Sequence, residues 1–421
     1  MKFIIQGRKI LSGEVYIPGA KNEATKLVAA SCMTDQDVVI DNAPYIQDLE
    51  KMMEIVRSMG GRADWTGDHQ LTLNCADIDI AKIDHHLVKK LRASIVFIGP
   101  LLTRFAEFDF PTPGGCIIGN RSLDTHLEAL KKLGVKIDID ETGNNFHFSR
   151  EKMVGREIVL QEFSVTATEN ILMAASLAQG KTILKIAAAE PHVEDLVLAL
   201  NKMGAKIKWI ANHTLEIEGV DKLSGLEHRV IPDTIDVGTF AILAAVTKSN
   251  LMIKNVRPDH MDLFLEKFRE FGVNFKEGGD YLHIKPSGSL KAVNKIETNI
   301  YPGIPTDLQQ PLTLLATQAN GTTLVFEKMF EGRFGFVSAL KEMGANIEIL
   351  DPHRILVTGP TPLQGAEVKS FDLRAGATLI IAGLLADGET IIHEAELIER
   401  GYEDIIGRLK SIGASIKKIE E

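Results

Sequence analysis

LKKLGVKIDI at residues 130–139 and LNKMGAKIKW at residues 200–209 are two copies of a phrase that this chain repeats six times. Each copy predicts the last turn of a helix, a glycine able to adopt positive φ, and an alternating strand. Consecutive glycines of the phrase lie 68 to 74 residues apart, at Gly60, Gly134, Gly204, Gly272, Gly344 and Gly413. A nearly fixed period predicts six copies of one supersecondary unit.

The repeat extends to a strand, a turn and a second strand that lead into a helix. Gly, Leu and Gly recur at matching offsets in FIIQGRKILSGEVYIPGAKN from residue 3, LEIEGVDKLSGLEHRVIPDT from 215 and ILVTGPTPLQGAEVKSFDLR from 355. The helices that follow are rich in small and aliphatic residues, as in AILAAVTK and LIIAGLLADG. Such helices tend to be buried and to pack closely. We therefore expect an α/β fold whose unit is strand–helix–strand–helix–strand–strand.

The last unit stops after its strand, and its missing strand pair matches residues 3–17. An N-terminal hairpin is therefore expected to complete the C-terminal half. This predicts two three-unit domains, residues 22–229 and residues 1–21 plus 230–421. The chain would cross twice between them, which suits hinge closure over a cleft. A scaffold of repeats without any site is the alternative.

Composition narrows the class of protein. The chain has 421 residues with a net charge of −10, which argues against a general nucleic-acid surface. Its apolar runs are too short to span a bilayer, and MKFIIQGRK lacks the hydrophobic region of a signal peptide. Three cysteines without CxxC or HExxH predict a reducing cytoplasm, no disulfide framework and no recognisable zinc site.

Charged residues recur where the first helix of a unit begins. Helix N-termini that converge in one cleft form an anion site, and Lys or Arg there would suit phosphate or carboxylate. For any single charge, a solvated surface role is the alternative. The charged starts are Lys21-Asn22, Arg92, Asp236, Asp307 and Arg374.

One loop of the repeat is much longer than its equivalents. PTPGGCIIGNRSLD, residues 111–124, contains two prolines, three glycines and Cys116, a composition typical of a mobile active-site lid. Arg121 lies nearby, and a neighbouring cation lowers a thiol's pKa and raises its reactivity. The alternative is that Cys116 is a small apolar residue in a turn. Arg333 in FEGRFG and Arg400 in LIERGYE are expected on the same rim.

The sequence Pro305-Thr306-Asp307 predicts a helix start with Thr306 as N-cap. The helix dipole would keep the Asp307 carboxylate ionised. As an acid among many bases, Asp307 is a candidate general base. An ordinary capping charge is the alternative.

Nine short motifs occur in one order along essentially the whole chain: Lys21-Asn22, LRASI (91–95), PGGC (113–116), GNR (119–121), SVTATEN (164–170), PTDLQ (305–309), FEGRF (330–334), DLRAGA (372–377) and ERGYE (399–403). Together they resemble the UDP-N-acetylglucosamine 1-carboxyvinyltransferases of the enolpyruvyl transferase family. The resemblance implies two three-unit inside-out α/β barrels with an interdomain active site.

The resemblance also implies an activity in peptidoglycan precursor synthesis, without a metal or organic cofactor. Enolpyruvate would pass from phosphoenolpyruvate to the 3′-hydroxyl of UDP-N-acetylglucosamine, and phosphate would be released. Asp307 would take the hydroxyl proton, and Cys116 would help to protonate the methylene carbon. Lys21, Arg121 and Arg400 would hold the phosphate and carboxylate. The residues implied to contact the UDP-sugar are Asn22, Ser164, Val165 and Thr166. Further implied substrate-binding residues are Arg92, Arg333, Asp372 and Arg374.

Several positions depart from the pattern of that family, among them Asn120 and Ser122 beside Arg121. Thr166, Ala189 and Gly332 stand where glycine, arginine and asparagine are usual. A paralogue with an altered sugar nucleotide is therefore an alternative, as is a non-catalytic UDP-sugar-binding regulator. The shikimate-pathway enolpyruvyl transferase is a further one, but its Lys-Ser and Asn-Ala-Gly-Thr motifs are missing. An RNA-end cyclase would need a different unit order. The oligomeric state stays open.

Overall fold

Each of the six repeated phrases forms a helix end, a glycine and a strand in the computed structural model, which describes residues 1–114 and 123–420. All six glycines have positive φ, from 77° at Gly272 to 104° at Gly204. L-residues with a side chain are disfavoured there, which explains why glycine recurs at this point of every unit. The predicted structure of the phrase is confirmed.

The α-helices of the described residues include helices buried on nearly all sides and amphipathic ones. They are α1 (Lys21–Ala30), α2 (Gln47–Ser58), α3 (His85–Lys90), α4 (Ile98–Arg104), α5 (Asp124–Lys132), α6 (Val165–Ser176), α7 (Pro191–Lys202), α8 (Thr234–Val246), α9 (Asp262–Phe271), α10 (Gln309–Thr317), α11 (Phe336–Glu342), α12 (Leu373–Leu385) and α13 (Ile405–Ser411). Short 3₁₀ helices cover Ser31–Met33, Ile80–Lys82, Arg92–Phe97, Pro258–His260, Thr306–Leu308 and Ala395–Arg400.

The strands of the described residues are short. They are β1 (Lys2–Gln6), β2 (Ser12–Tyr16), β3 (Val38–Asp41), β4 (Arg62–Gly67), β5 (Gln70–Asn74), β6 (Glu107–Pro111), β7 (Lys136–Ile139), β8 (Asn145–Ser149), β9 (Glu157–Val159), β10 (Lys181–Lys185), β11 (Lys206–Ala211), β12 (Thr214–Glu218), β13 (Leu226–Arg229), β14 (Asn250–Lys254), β15 (Phe275–Glu277), β16 (Tyr281–Ile284), β17 (Lys295–Glu297), β18 (Gly321–Phe326), β19 (Asn346–Asp351), β20 (Arg354–Gly359), β21 (Glu367–Lys369), β22 (Glu389–His393) and β23 (Ser415–Ile419).

These strands form small sheets that share one topology. In each four-stranded sheet, an edge strand pairs parallel with its neighbour, and the other two pairings are antiparallel. The orders are β21-β22-β1-β23, β11-β12-β10-β9, β13-β3-β5-β4, β15-β16-β14-β2 and β17-β18-β20-β19, with β6-β8-β7 as a three-stranded sheet. The repeated topology agrees with the repeated sequence.

The first two strands do not form the expected hairpin. β1 lies between β22 and β23, antiparallel to both, whereas β2 pairs parallel with β14 in another sheet. The connecting residues bind the end of α12 instead of folding back, with the Gly7 amide donating to Gly388 and the Arg8 amide to Leu384. The segment β1–turn–β2 therefore joins two sheets. β1 is an inner strand of one sheet, and β2 is the parallel edge strand of the other.

The chain divides into a central unit, residues 19–114 and 123–231, and a terminal unit, residues 1–18 and 232–420. Sequence had placed the first boundary after residue 21. Lys21 instead belongs to the central unit, because the Ala20 amide donates to the Ile231 carbonyl at 2.7 Å. On the other side of the boundary, the Asp233 amide donates to the Pro18 carbonyl at 3.1 Å.

Each unit has its own hydrophobic core, built around helices of small and aliphatic residues. In the terminal unit, α8, α10 and α12 pack on one another, and nearly every residue of the three is buried. This agrees with the prediction that the first helices of the sequence repeats are buried together. Within residues 1–114 and 123–420, no helix combines the length and apolar character that crossing a membrane would require.

Candidate active site

The densest group of predicted site residues lies at the starts of α10 and α12 in the terminal unit. Asp307, in the 3₁₀ helix before α10, accepts from Arg333 Nη2 through Oδ1 at 2.6 Å and from Arg374 Nε through Oδ2 at 3.1 Å. The two arginine side chains are 2% and 4% exposed, whereas the carboxylate is 28% exposed. One accessible carboxylate is thus held by two buried guanidinium groups.

These arginines determine the ionisation of Asp307. Burial raises the pKa of its carboxyl group, but the charges and hydrogen bonds of Arg333 and Arg374 outweigh burial and hold the pKa well below its usual range. Sequence had ascribed the ionised state to a helix dipole, and the arginine pair is the larger cause. A carboxylate held in this way is a weak base until an arginine leaves it.

Thr306 is not the N-cap that its position had suggested. Pro305 occupies the cap position, and the Thr306 side chain caps no backbone amide there. Its hydroxyl instead donates to Glu327 Oε2 at 2.6 Å and accepts from Arg333 Nη1 at 2.5 Å. Thr306 therefore belongs to the side-chain network around Asp307.

Asp372 has a structural task at the start of α12. Its Oδ1 caps the helix by accepting from the Arg374 and Ala375 amides, at 2.7 and 2.8 Å. This cap fixes the backbone that carries the Arg374 side chain. Arg400 ends the 3₁₀ helix Ala395–Arg400 and is partly buried.

In the central unit, Lys21 and Asn22 are the first two residues of α1. Lys21 Nζ lies 2.6 Å from Asp48 Oδ2, a carboxylate that is 2% exposed. Asp48 belongs to the first turn of α2 and was not among the predicted residues. Its only sequence signal was an acid in a first helical turn, which is common.

Arg92 begins the 3₁₀ helix that precedes α4, as its position predicted. Burial, and secondly the Arg92 charge, lower the pKa of His126 to about 3, so this histidine is neutral. His126 Nε2 lies 3.0 Å from Thr166 Oγ1, and its Nδ1 lies 3.2 Å from Asn170 Nδ2. His126 was also missed by sequence reasoning, because a histidine on an amphipathic helix carries no distinctive signal.

The predicted loop Ser164–Thr166 forms the start of α6. Ser164 is the N-cap, with its Oγ accepting from the Ala167 amide at 3.4 Å, and Val165 is the first helical residue. Thr166 is held by His126, so the loop is fixed at both ends. Cys116 and Arg121 lie outside the described residues.

One buried group in the central unit has the composition of a metal site. Ligand atoms of Glu23, Asp195 and His228 lie within 4.8 Å of one another. However, Lys202 Nζ lies 3.0 Å from His228 Nδ1 and supplies positive charge there. Burial, followed by the contact with Asp195, raises the pKa of Glu23 well above its usual value, so Glu23 holds a proton. The group is better explained as a buried hydrogen-bond network than as a metal centre.

Comparison with known proteins gives a consistent result. Residues 5–409 match the family model described as EPSP synthase (3-phosphoshikimate 1-carboxyvinyltransferase). A UDP-N-acetylglucosamine 1-carboxyvinyltransferase from Treponema denticola is 42% identical over 100% of both chains. One from Koribacter versatilis is 42% identical over 100% of this chain and 97% of its own, and one from Bradyrhizobium diazoefficiens is 41% identical over 100% and 99%.

Solved structures resemble this fold over the full length. The enolpyruvyl transferase NikO from Streptomyces tendae has a TM-score of 0.90 and 25% identity, covering 99% of this chain and 98% of its own. An EPSP synthase from Acinetobacter baumannii has a TM-score of 0.74 and 20% identity over 100% of both chains. At that identity, the second likeness concerns the fold alone.

Proposed function

This chain belongs to the EPSP synthase family, and we propose on that premise that it transfers enolpyruvate from phosphoenolpyruvate to the 3′-hydroxyl of UDP-N-acetylglucosamine, with release of phosphate. It is a carboxyvinyltransferase with an α/β fold. The observation that carries the choice of acceptor is the identity of about 40% over full length to relatives named for that acceptor. Peptidoglycan precursor synthesis follows from the same proposal.

The chemistry requires cations, an acid and a base. Phosphoenolpyruvate is strongly anionic, so fixed positive charges must neutralise it. Protonation of its methylene carbon creates positive character at the adjacent carbon, which the sugar oxygen attacks. Loss of phosphate from that carbon, together with one proton from the new methyl group, then restores the double bond. Lys21, Arg121 and Arg400 are proposed to hold the phosphate and carboxylate. Asn22 and the start of α6 are proposed to bind the UDP-sugar.

Asp307 is proposed to accept the proton of the sugar hydroxyl. Its two arginines oppose that role, because they stabilise the ionised carboxylate and weaken it as a base. Arg374 makes the longer contact, 3.1 Å against 2.6 Å for Arg333. An anionic substrate that drew Arg374 away would raise the pKa of Asp307 and make it a better base. Asp307 would then become a stronger base only when the substrate is bound.

Cys116 is proposed as the group that assists protonation of the methylene carbon. Fosfomycin, an epoxide analogue of phosphoenolpyruvate, is expected to alkylate this thiol in the presence of the UDP-sugar. Intact-protein mass spectrometry of the chain and of Cys116→Ser measures the adduct. An unmodified mass for the chain itself would remove Cys116 from this role.

The finer architecture is part of the same proposal. We propose that the central unit and the terminal unit each contain three repeats in the inside-out α/β barrel arrangement. The shared sheet topology and the buried helices α8, α10 and α12 support it. No metal or organic cofactor is part of the proposed reaction.

Phosphate release from phosphoenolpyruvate tests the proposed function. The assay compares UDP-N-acetylglucosamine, shikimate 3-phosphate and no acceptor, with the same chain and buffer. Release only with the UDP-sugar is the expected result. Release only with shikimate 3-phosphate would show that the acceptor is shikimate 3-phosphate and that the chain is still an enolpyruvyl transferase. If neither supports release but the UDP-sugar binds in calorimetry, the chain is a binding protein or uses another acceptor.

A further inference from the structure

Glu327 is a buried carboxylate directly after β18, with no exposed surface. Four donors surround it. Oε1 accepts from Thr298 Oγ1 at 2.8 Å, the Met329 amide at 2.8 Å and the Phe330 amide at 3.2 Å. Oε2 accepts from Thr306 Oγ1 at 2.6 Å. Glu327 therefore joins the loop after β18 to the residue that precedes Asp307.

The direction of the Thr306 hydrogen bond is fixed by chemistry. A hydroxyl has one proton to donate, and that proton is used on Glu327. Arg333 has only donors, so Thr306 Oγ1 must present a lone pair to Arg333 Nη1, at 2.5 Å. Thr298 repeats the arrangement, since it donates to Glu327 and accepts from the Lys328 amide at 2.9 Å. An acceptor at Glu327 thus orients both hydroxyls.

The Arg333 guanidinium is a planar fork, so fixing one nitrogen fixes the other. With Nη1 on Thr306, Nη2 reaches Asp307 Oδ1 at 2.6 Å. The Phe330 ring lies 5.8 Å from the Arg333 guanidinium, and its backbone amide is tied to Glu327. Both the loop that carries Arg333 and the hydroxyl that receives it are therefore held by one carboxylate.

We propose that Glu327, acting through Thr306, is a positioning residue that holds Arg333 on Asp307 in the geometry used for enolpyruvyl transfer. The proposal rests on the proposed function for its kinetic consequence, but its geometric part stands alone. Among the described residues, Arg374 bonds to Asp307 but not to Thr306, so it lies outside this network. The charged or titratable groups that act on Asp307 are Arg333 and Arg374, with Asp233 and Tyr402 acting on Arg374.

Matched variants of the full chain distinguish a role in positioning Arg333 from a role in fold stability alone. Thr306→Val removes the relay with little change in size, and Thr306→Ser restores the hydroxyl. Glu327→Gln keeps the size of the side chain, but its amide group would donate to Thr306 and reverse the hydrogen bond. Thr322→Val is the control, because Thr322 is an exposed threonine of β18 that bonds only to Thr358 in the described network.

Phosphate release with UDP-N-acetylglucosamine is measured across pH for each variant, with thermal unfolding in parallel. Thr306→Val and Glu327→Gln are expected to lower kcat about tenfold, because a hydrogen bond to a charged group contributes roughly that factor. This loss of orientation is expected to outweigh the gain in basicity of Asp307. The acidic limb of the kcat profile should move up by about one pH unit as Asp307 loses a held cation. Thr306→Ser and Thr322→Val should keep the parent profile. A parent-like profile in Thr306→Val would overturn the kinetic role.

A second readout does not depend on turnover. Nitrogen-15 NMR of the Arg333 guanidinium, assigned with Arg333→Lys, should show exchange-protected N–H groups in the parent chain and in Thr306→Ser. Thr306→Val and Glu327→Gln should lose that protection while remaining folded. Retained protection would overturn the positioning itself. If the parent chain released no phosphate with any acceptor, the proposed function would fail, and this readout would still decide the positioning.

Discussion

Glu169 in α6 and Asp307 before α10 are carboxylates in the central and the terminal unit, and their pKa values move in opposite directions. Burial raises the pKa of Glu169 to about 8, with Lys26 as the largest opposing charge. Arginine contacts hold the pKa of Asp307 well below its usual range. The difference lies in the partners. Lys26 Nζ is 3.7 Å from Glu169, whereas two guanidinium groups donate directly to Asp307.

The contrast shows that proximity of one cation does not compensate for burial. Both oxygens of Glu169 are buried without a hydrogen-bond donor among the described residues, and burial also lowers the pKa of Lys26. Each partner of that pair is therefore shifted toward its neutral form. At Asp307, direct hydrogen bonds from Arg333 and Arg374 keep the carboxylate ionised despite its burial. Direct donors decide which carboxylate stays charged.

Asp307→Asn is expected to have the largest effect. An amide can neither accept the sugar proton nor pair as an anion with Arg333 and Arg374. Turnover should fall by about two orders of magnitude or more, the usual loss when a general base is removed. Asp351→Asn is the matched control, because Asp351 also pairs with an arginine, Arg354, at 2.6 Å. Phosphate-release kinetics compare the two. Near-normal turnover in Asp307→Asn would remove it as the base.

Glu169→Gln tests whether the raised pKa of Glu169 makes the stability of the chain depend on pH. The folded chain binds this proton up to about pH 8, whereas the unfolded chain releases it near 4.5. Between those values the folded state holds more protons, so the free energy of unfolding falls as pH rises. Glu169 alone should lower it by about 2 kcal/mol between pH 6 and pH 8.

Denaturant unfolding at several pH values measures this dependence. Glu169→Gln should flatten it, while Glu216→Gln, on an exposed pair with Lys181 and Lys208, should leave it unchanged. The charged and titratable neighbours of Glu169 are Lys26, Glu190 and His192, and they are unaltered in both variants. A slope that persists in Glu169→Gln would assign the proton to one of those neighbours.

Arg400→Ala asks whether the arginines of the terminal unit have different tasks. Arg333 and Arg374 contact Asp307, whereas Arg400 is proposed to bind phosphoenolpyruvate. Its loss should raise the KM for phosphoenolpyruvate about tenfold, because a charge-assisted contact contributes about that factor. Arg269→Ala, an exposed arginine paired with Glu266 and Glu277, serves as control. Unchanged KM and kcat in Arg400→Ala would refute the assignment.

The smallest expected effect concerns the positive-φ glycine that ends a helix in every repeat. Gly204 and Gly272 occupy the same place in the repeat, one in each unit, and neither position has an atom within 4 Å of an added Cβ. Alanine at either should cost about 1 kcal/mol, from positive φ alone. Denaturant midpoints should shift equally. A clearly larger loss at one glycine would mean that the units depend differently on this turn.

Sequence predicted the repeated elements well, because helix ends, positive-φ glycines and alternating strands are local features. It placed charges at helix starts correctly for Lys21, Arg92 and Arg374. It failed where the outcome depended on pairing between distant segments. The expected hairpin was wrong because β1 and β2 join different sheets. Thr306 was wrong as a cap because it is already a helical residue, and its hydroxyl oxygen accepts from Arg333 instead of a backbone amide.

The partners of the site residues were the hardest to predict. Asp48, His126 and Glu327 each come from an element far along the chain from the residue they hold. None carries a local signature, since an acid in a first turn or a histidine on a helix is common. Only the assembled units show that these side chains determine orientation and charge.

The position of β1 between β22 and β23 has a consequence for biosynthesis. Within this sequence, Lys2–Gln6 is made well before β22 and β23, the two strands with which it pairs. The central unit is nearly continuous in the chain and can fold during translation, whereas Phe3 and Ile5 cannot enter their sheet until β22 and β23 have been made. Deletion of Lys2–Gln6 would therefore disturb a late assembly step, in which β1 joins two strands that lie far along the chain from it.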